Sequence, residues 1–452
     1  MSPVEKPNPE PEAAVRAARF VADRLPPGGL FKDQGWRVAP APFPLSADLV
    51  RELEGLGRVL LQFYKAINLL HRQSRAGRQP GWVAQLYDQG KPASLLGWQE
   101  HPAFKSELPR VIRPDLLLTE EGFAITELDS VPGGIGLTAW LNQTYSALAP
   151  DAASRLVGGA EGMLRGFARI FGDARQAHLI VSEESASYRP EMEWIASRLP
   201  GVSASVRGAD FTGWGEGDAV YRFFELFDLA NIPCGEPLVA AAAERRVRLT
   251  APFKPCLEEK LSMALLWNRN LRGFWRQELG EGFLQRLQRR IPYSWVVDPT
   301  PLPPHGAIPG LELTGWDQLK SLSQRDRDLI LKVSGYSERA WGARGVYLGS
   351  DLSSAEWSVA VDEAIAGFDR SPYILQRYQK PKVVDFAYVD LEAGRLVPMA
   401  SRVRLCPYYF VVGEGDAARA ELAGVLATAC PADKKIIHGM RDAVLAPCAL
   451  GG

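Results

Sequence analysis

The stretch from Ile112 to Gly136 constrains the fold of this chain most, because it predicts a β-hairpin whose register can be read from the sequence. Two apolar-rich runs, 113–118 and 123–128, flank a short polar segment that ends in Gly122. A hairpin loop of this length needs one residue at positive φ, and glycine adopts that conformation without strain. We therefore predict a hairpin with residues 120–122 as a three-residue loop.

The predicted register brings carboxylates together on one face of the hairpin. A three-residue loop places Leu117 opposite Ile125 and Asp115 opposite Glu127, and directly opposed residues share a face. Side chains alternate along a strand, so Asp129 joins the same face. Three carboxylates at one spot repel one another unless a cation lies between them. Mg²⁺ carried on nucleotide phosphates suits this arrangement. The alternative is an acidic hairpin edge in water, which needs no ligand.

A lysine inside an apolar strand supports the first interpretation. The segment 328–349 predicts a buried strand over 329–333 that contains Lys332, then a glycine-rich loop, then a returning strand over 346–348. A buried ammonium is costly unless it meets an anion, and the backbone N–H groups of a glycine-rich loop can bind such an anion. The lysine precedes the glycines and lies on a strand, so this is not the P-loop pattern. A lysine whose ammonium extends into solvent is the alternative.

Two later strands carry polar residues suited to a nucleotide. The strand over 373–378 ends in polar residues whose backbone groups can bind an adenine edge. The strand over 395–405 places Arg402 and Arg404 on one face by alternation. Neighbouring arginines suit phosphate or carboxylate groups, and a surface salt-bridge pair is the alternative.

These residues together resemble the circularly permuted ATP-grasp ligases, the group that includes the synthetase domain of glutathionylspermidine synthetase. In that family an Arg-x-Asp strand is followed, twelve residues after the Asp, by Glu-x-Asn, and Arg113, Asp115 and Glu127 match this pattern. Asp129 departs from it, because the family usually has Asn there, and the extra charge puts the metal affinity in doubt. The chain order fits a permuted fold, since the acidic motif precedes the lysines. The resemblance runs from Arg113 to Pro447.

The resemblance implies a role for each candidate site residue. Carboxylates of the hairpin would bind Mg²⁺, lysines and lid residues would contact ATP, and arginines would lie near the transferred phosphate. The implied metal ligands are Asp115, Glu127 and Asp129; the implied ATP contacts are Lys260, Lys332, Gly342, Arg344, Gly345, Gln376 and Tyr378; the implied catalytic residues are Arg113, Arg402 and Arg404.

The function that the resemblance implies is ADP-forming ligation of a carboxylate to an amine or thiol. ATP would phosphorylate the carboxylate of an amino acid or small peptide, and the amine or thiol would attack the acyl phosphate. Such chemistry depends on positioning and on neutralising phosphate charge, and it needs no nucleophile–base motif in the chain. Two alternatives stay open: an ATP-grasp kinase that phosphorylates a small molecule, and a catalytically silent nucleotide-binding module.

The whole chain predicts an α+β fold, a circularly permuted ATP-grasp with two additional regions. We expect a disordered segment over 1–12, a helical N-terminal region over 13–110, and the metal-binding part of the core over 111–172. Strands that alternate with a helix predict a small α/β, pre-ATP-grasp-like domain on the substrate side over 173–250. The lysine and glycine-lid part of the core, with the C-terminal tail, would occupy 251–450.

The composition argues against a nucleic-acid or membrane partner. Lys+Arg of 52 against Asp+Glu of 53 gives a net charge of −1, with no polybasic tract and no long apolar run. Five cysteines without CxxC spacing suit reduced thiols in a cytoplasmic protein better than a disulfide framework. We expect small-molecule carboxylate and amine substrates, and the amphipathic N-terminal helices leave a homo-oligomer open.

Overall fold

The apolar pattern of the chain produces both helices and strands, so the fold is mixed α+β. The structure is a computed structural model, and it describes residues 10–340, 342, 344–437 and 442–451. Its helices are α1 (Pro11–Ala22), α2 (Gly29–Lys32), α3 (Ala47–Arg75), α4 (Gly81–Asp88), α5 (Ala93–Glu100), α6 (Ile135–Leu148), α7 (Gly162–Arg169), α8 (Arg189–Ala196), α9 (Gly235–Ala243), α10 (Leu261–Leu265), α11 (Arg272–Arg290) and α12 (Ser354–Ala366). Its strands are β1 (Arg37–Val38), β2 (Phe43–Leu45), β3 (Val111–Thr119), β4 (Gly122–Asp129), β5 (Gln176–Val181), β6 (Ser203–Arg207), β7 (Asp218–Phe223), β8 (Val247–Thr250), β9 (Ser294–Val296), β10 (Leu329–Val333), β11 (Val346–Leu348), β12 (Tyr373–Arg377), β13 (Val383–Asp385), β14 (Tyr388–Asp390), β15 (Arg395–Val397), β16 (Ala400–Val412), β17 (Arg419–Pro431) and β18 (Val444–Leu450).

The largest sheet has eight strands and contains the hairpin. Its strands lie in the order β1-β18-β17-β16-β3-β4, with β13 beside β16 and β2 beside β18. Helix α3 begins at a Ser46 cap that accepts from the Leu49 N–H at 3.2 Å, and its apolar stripe packs on β16. The Tyr409 hydroxyl donates to the Leu53 carbonyl at 2.7 Å. Helices α6 and α7 pack on the other face, so the sheet that carries the hairpin is covered on both sides.

A four-stranded parallel sheet follows the hairpin in sequence. Its order is β6-β5-β7-β8, and every neighbouring pair is parallel. Ligands of such sheets lie at the carboxyl ends of the strands. The chain after β7 leads to Glu225, which lines the same cavity as Glu127 of the hairpin. The domain limits given above stay predictions.

A separate four-stranded antiparallel sheet carries the strand lysine. Its order is β11-β10-β12-β9. Leu331 and Val333 of β10 pack with Trp357 of α12. Alternation along β10 therefore turns Lys332 to the opposite face, which is the face directed at the hairpin.

The first helix begins earlier than the sequence predicts. Residues 1–9 lie outside the described residues, but α1 begins at Pro11, so the expected disorder is wrong for residues 11 and 12. Proline suits the first helical position because the N–H that it lacks has no acceptor there in any case. Of the described helices, none is both long and apolar enough to cross a bilayer. All five cysteines are buried.

The hairpin has a shorter loop than the sequence predicts. Gly122 pairs with Thr119 and has a φ of 115°, which leaves Glu120 and Glu121 as a two-residue loop. The predicted three-residue loop is therefore wrong, because Gly122 belongs to the strand pairing. The expected positive φ at this glycine is confirmed.

An extra residue in β4 restores the predicted pairing beyond the turn. Near the turn, Leu117 lies opposite the residue before Ile125, not opposite Ile125 itself. The register then shifts by one residue, and Thr126 is the residue left without a partner. Asp115 consequently lies opposite Glu127, as predicted. A bulge of this kind removes one residue from the hydrogen-bond ladder, so the Thr126 carbonyl is free for another donor.

Candidate functional site

Arginines of the large sheet neutralise the open end of the hairpin. Arg113 Nη2 lies 3.0 Å from Asp129 Oδ2, and its Nε lies 3.2 Å from Asp115 Oδ1. Arg404, on the neighbouring strand β16, donates from Nη1 to Asp115 Oδ2 at 2.9 Å. The charge of Asp115 is therefore compensated by two guanidinium groups.

These contacts place the three carboxylates that the sequence analysis assigns to a metal ion in two different environments. Asp115 is bound by Arg113 and Arg404, while Glu127 and Asp129 line a cavity. Among the described residues, no group of three Asp, Glu, His or Cys side chains is arranged to hold a metal ion. The carboxylates do need positive charge between them, as the sequence argument required. The chain supplies that charge itself, from an arginine on the same hairpin.

Burial and charge oppose each other in this ion-pair group. Burial alone would raise the pKa of Asp115, but Arg113 and Arg404 lower it below its ordinary value. Burial raises the pKa of Asp129 above its ordinary value, and Arg113 offsets only part of that rise. Burial alone would lower the pKa of Arg113, which the two aspartates hold well above its ordinary value. Asp115 thus stays ionised, whereas Asp129 is easier to protonate.

Two lysines from distant parts of the chain contact β4. Lys260 Nζ lies 2.7 Å from Glu127 Oε1. Lys332 Nζ donates to the Thr126 carbonyl at 2.9 Å and to Gln376 Oε1 at 3.0 Å. The bulge makes the Thr126 contact available, because it frees that carbonyl from the ladder. The structure therefore brings the hairpin and the strand lysine together, as the sequence analysis expected.

The two lysines differ in how far their charge is compensated. Burial lowers the pKa of Lys332 to about 8, although Glu127 acts in the opposite direction. Burial would also lower the pKa of Lys260, but Glu127 holds it above its ordinary value. Lys332 is thus the cation that gains more from an anionic ligand nearby.

The glycine-rich segment after β10 lies over the cavity. We call residues 334–340 the lid. Lys260 Nζ donates to the Ala340 carbonyl at 2.8 Å, so the lid is tied to this lysine. Gly335 has no room for a side chain, because a Cβ would lie 2.8 Å from the carboxyl carbon of Glu259. The lid therefore makes a close backbone approach to the segment that carries Lys260.

The residues that the sequence analysis assigns to a lid, Gly342, Arg344 and Gly345, lie beyond residues 334–340 and before β11. Gly342 has a φ of 65°. Arg344 Nη1 lies 3.3 Å from Glu184 Oε1, which follows β5. The Gly345 carbonyl accepts from the Val333 N–H at 3.1 Å, so Gly345 lies where the segment returns to the sheet.

A cavity of about 70 Å³ lies between the hairpin, the parallel sheet and the lid. It is lined by 127–131 at the end of β4, by 225–227 after β7, by Lys260, and by lid residues that include Tyr336 and Ala340. Pockets for ligands of drug size have about 300–1,000 Å³. In this conformation the cavity is therefore smaller than such a pocket.

Three of the predicted site residues make their contacts outside the cavity. The Gln376 side chain is buried and binds Lys332 and, through Nε2 at 3.0 Å, the Ser294 hydroxyl. The Tyr378 N–H donates to the Asp328 carbonyl at 3.0 Å. Arg402 Nη1 donates to the carbonyl that follows β17, at Lys434, rather than contacting the hairpin. The adenine contacts and the role of Arg402 stay predictions.

The sequence analysis missed a buried arginine beside the cavity. Arg222 on β7 is fully buried and pairs with Glu258. Burial lowers the pKa of Arg222 to about 10 and raises the pKa of nearby Glu225 to about 7. A sequence signal existed, because a charged residue inside an apolar strand must find a partner when the strand is buried.

The sequence analysis also missed the group that holds the loop after the hairpin. Glu191 is fully buried and accepts from the N–H groups of Gly134 at 2.6 Å and Leu137 at 2.9 Å, at the beginning of α6. Burial raises the pKa of Glu191 to about 7, against the effect of these hydrogen bonds. No local pattern marks this glutamate, because its partners lie more than fifty residues earlier.

Known structures share the architecture of this chain at low sequence identity. No protein-family model matches the chain, and no curated protein matches it by sequence. The structure is similar to that of a glutathione synthetase-like effector from Globodera pallida in its apo form. The two chains share one fold. Their TM-score is 0.56 at 10% identity, over 97% of this chain and 96% of that chain.

A second known structure is less similar. It belongs to a candidate gamma-glutamylcysteine synthetase from Methylobacillus flagellatus KT. The TM-score is 0.39 at 13% identity, over 82% of this chain and 87% of that chain.

Proposed function

We propose that the chain is an ATP- and Mg²⁺-dependent ligase of the circularly permuted ATP-grasp type. A substrate carboxylate, on an amino acid or small peptide, attacks the γ-phosphorus of ATP and releases ADP. An amine or thiol then attacks the acyl phosphate and releases phosphate and a proton. The observation that carries the proposal is that Lys260 and Lys332, from distant parts of the chain, both contact strand β4 of the acidic hairpin. We place this reaction in the cytoplasm.

Support for this proposal comes from the fold as well as from the site. The Globodera protein, which covers nearly the whole chain, is named for its likeness to glutathione synthetase. Glutathione synthesis joins a carboxylate to an amine, which is the reaction class that the residues suggest. The activity of this chain is inferred from its own residues, because the identity of 10% supports the fold alone.

The hairpin fits Mg²⁺ through two carboxylates rather than three. The side chains of Glu127 and Asp129 are 35% and 29% exposed, whereas that of Asp115 is 7% exposed. Mg²⁺ is usually bound by one or two carboxylates together with substrate phosphates. The metal, when bound, would neutralise charge on those phosphates. Asp115 would instead hold Arg113 and Arg404 in place.

The lysines are suited to hold the phosphates. Lys332 gains from an anion, because burial makes its charge costly. Lys260 would exchange its contacts with Glu127 and the lid for a phosphate oxygen, which leaves Glu127 available for the metal. Closure of the lid would then exclude water from the acyl phosphate.

ADP formation by variants of the hairpin and the strand lysine tests the proposal. With a screen of amino acids as carboxylate donors and amines as acceptors, we expect Glu127→Gln and Lys332→Met to lower ADP release by about a hundredfold or more, since each removes charge stabilisation of the transferred group. Lys320→Met is the matched control, because Lys320 forms a surface ion pair with Asp362. It should retain the wild-type rate. Wild-type rates in both site variants would exclude the proposal.

Hydroxylamine separates the ligase from the two alternatives. It captures an acyl phosphate as a hydroxamate and leaves a phosphate ester unchanged, so a kinase gives ADP without a hydroxamate. A silent nucleotide-binding module would bind ATP in a calorimetric titration and release no ADP with any acceptor. A silent module has a structural basis, because the charges of the three carboxylates are already compensated without a metal ion. The compensating residues are Arg113, Arg404 and Lys260.

A further inference from the structure

The segment that carries Lys260 is held from outside by the N-terminal helices. Residues 254–262 follow the parallel sheet and include the first two residues of α10. Their polar groups contact residues of the N-terminal region. The Lys254 ammonium donates to Asn68 Oδ1. The Cys256 N–H donates to Gln99 Oε1 at 2.9 Å. We call 254–262 the lysine segment, because it contains Lys260.

Lys91 makes a fully enclosed contact with this segment. Its Nζ lies 2.7 Å from Glu259 Oε1, and both side chains are 1% exposed. Lys91 lies in the turn between α4 and α5, next to Gly90, which has a φ of 71°. A Cβ on Gly90 would lie 1.8 Å from the Arg370 carbonyl oxygen, so only glycine allows the turn to pack there. The turn therefore presents Lys91 in one place.

Glu259 connects Lys91 to the beginning of the lid. The Ser334 hydroxyl donates to Glu259 Oε2 and accepts from the Leu261 N–H at 2.8 Å. The Ser334 carbonyl accepts from the Lys260 N–H at 3.1 Å. Gly335 then passes so close to Glu259 that a Cβ would not fit. One carboxylate thus fixes both the first lid residue and the backbone of Lys260.

Stability alone does not explain why the chain has a buried ion pair at this place. A buried pair loses the hydration of both charges, and replacing it with apolar groups of similar size is often neutral for stability. What an apolar pair cannot supply is an acceptor for the Ser334 hydroxyl. Lys91 orients the Glu259 carboxylate, and that orientation is the one Ser334 binds.

We propose that Lys91 is a positioning residue, whose ion pair with Glu259 sets the place of the lid and of Lys260. The N-terminal region thereby controls how tightly the cavity holds an anionic ligand. The positioning rests on the contacts above. Its effect on ATP rests on the proposed function.

Hydrogen exchange of the lid amides tests the positioning without any nucleotide. In Lys91→Met we expect the amides of 334–336 to exchange about tenfold faster or more, since their anchor is lost. Lys254→Met is the matched control, because it removes another buried lysine from the same segment and Lys254 has no contact with Ser334. Its lid amides should exchange within about threefold of wild type.

A double variant separates positioning from a purely structural role. Lys91→Met leaves a buried carboxylate unpaired, so part of its effect is a loss of stability. Lys91→Met/Glu259→Met removes both charges and should recover most of that loss. If Lys91 positions the lid, fast exchange at 334–336 persists in the double variant, because Ser334 has no acceptor. The proposal would be overturned if the lid amides of the double variant exchanged at the wild-type rate. It would also be overturned if those of Lys254→Met exchanged as fast as those of Lys91→Met.

Calorimetric titration with MgATP tests the consequence for the ligand. We expect affinity to fall by about tenfold or more in Lys91→Met and in the double variant, and by less than about threefold in Lys254→Met. If wild type fails to bind MgATP, the proposed function fails, and the exchange experiment still decides the role of Lys91. If wild type binds and all variants bind equally, the positioning has no effect on the ligand and this part of the inference is wrong.

Discussion

The two sides of the cavity are held in place in different ways. On the hairpin side, Arg113 neutralises Asp115 and Asp129 within two paired strands. On the lid side, Lys260 depends on Lys91, which belongs to a region far away in sequence. The first arrangement has its shared cation on the hairpin itself, with Arg404 of β16 in addition, whereas the second depends on a long-range contact. The acidic side is therefore a fixed part of the sheet, whereas changes elsewhere in the molecule can shift the position of the basic side.

The largest expected effect lies on the hairpin side. Arg113→Met leaves Asp115 and Asp129 buried without their shared cation, and breaking a buried pair in this way costs about 3–5 kcal/mol of unfolding free energy. Denaturant unfolding would measure the loss. Arg402→Met on β16 is the control, because Arg402 donates to a carbonyl rather than to a carboxylate, and it should cost about 1 kcal/mol. Equal losses would show that the hairpin does not depend on its own arginine.

A smaller effect is expected from the glutamate that supports the hairpin side. Glu191 has a pKa of about 7 in the folded chain, against an ordinary value of 4.5. The folded state therefore holds a proton that the unfolded state has lost, and raising the pH from 4.5 to 7 destabilises the folded chain by about 2–3 kcal/mol. Unfolding at several pH values should show this decline in wild type.

The matched variants assign that decline to one residue. Glu191→Gln should remove its share of the pH dependence, while Glu193→Gln, an exposed residue on the same helix, should leave the dependence as in wild type. A slope that is the same in wild type and Glu191→Gln would mean that Glu191 titrates at its ordinary value.

The smallest effect on stability is expected on the lid side. Lys332→Met removes a costly buried charge and two hydrogen bonds, so the unfolding free energy at pH 7 should change by about 1 kcal/mol or less. The folded chain loses the Lys332 proton near pH 8 and the unfolded chain near pH 10.5, so wild type should gain stability over the variant across that window. Denaturant unfolding of wild type and Lys332→Met at pH 7 and pH 10.5 measures the change at pH 7 and the gain at high pH. A loss as large as that of Arg113→Met would contradict the difference between the two sides.

The local features of the site were predictable from the sequence. Asp115 lies opposite Glu127 as predicted, although the two-residue turn alone would not give this pairing and the extra residue in β4 restores it. Lys332 lies on a buried strand because the apolar run around it allows little else. The sequence could also show that positive charge was needed between the carboxylates. Each of these follows from residues close together in the chain.

The source of that charge and the role of the N-terminal region were not predictable. The sequence analysis places Arg113 near the transferred phosphate, which stays a prediction, but it did not show that Arg113 pairs with the two aspartates of its own hairpin. Lys91 follows a glycine in a short turn and resembles an ordinary surface lysine in sequence. Its partner Glu259 is known only once the chain has folded, since no spacing rule connects residues so far apart.

The unpaired Thr126 affects how the chain can vary in length. Its carbonyl is the contact through which β10 meets the hairpin, and it is available only because one strand has a residue more than the other. Deleting that residue would preserve the alternation of β4 and the pairing of the acidic residues, yet it would remove the acceptor for Lys332. Residues added at the Glu120–Glu121 tip would project away from the cavity. Insertions should therefore accumulate at the tip of the hairpin, and a single deletion near its open end should separate the two sheets.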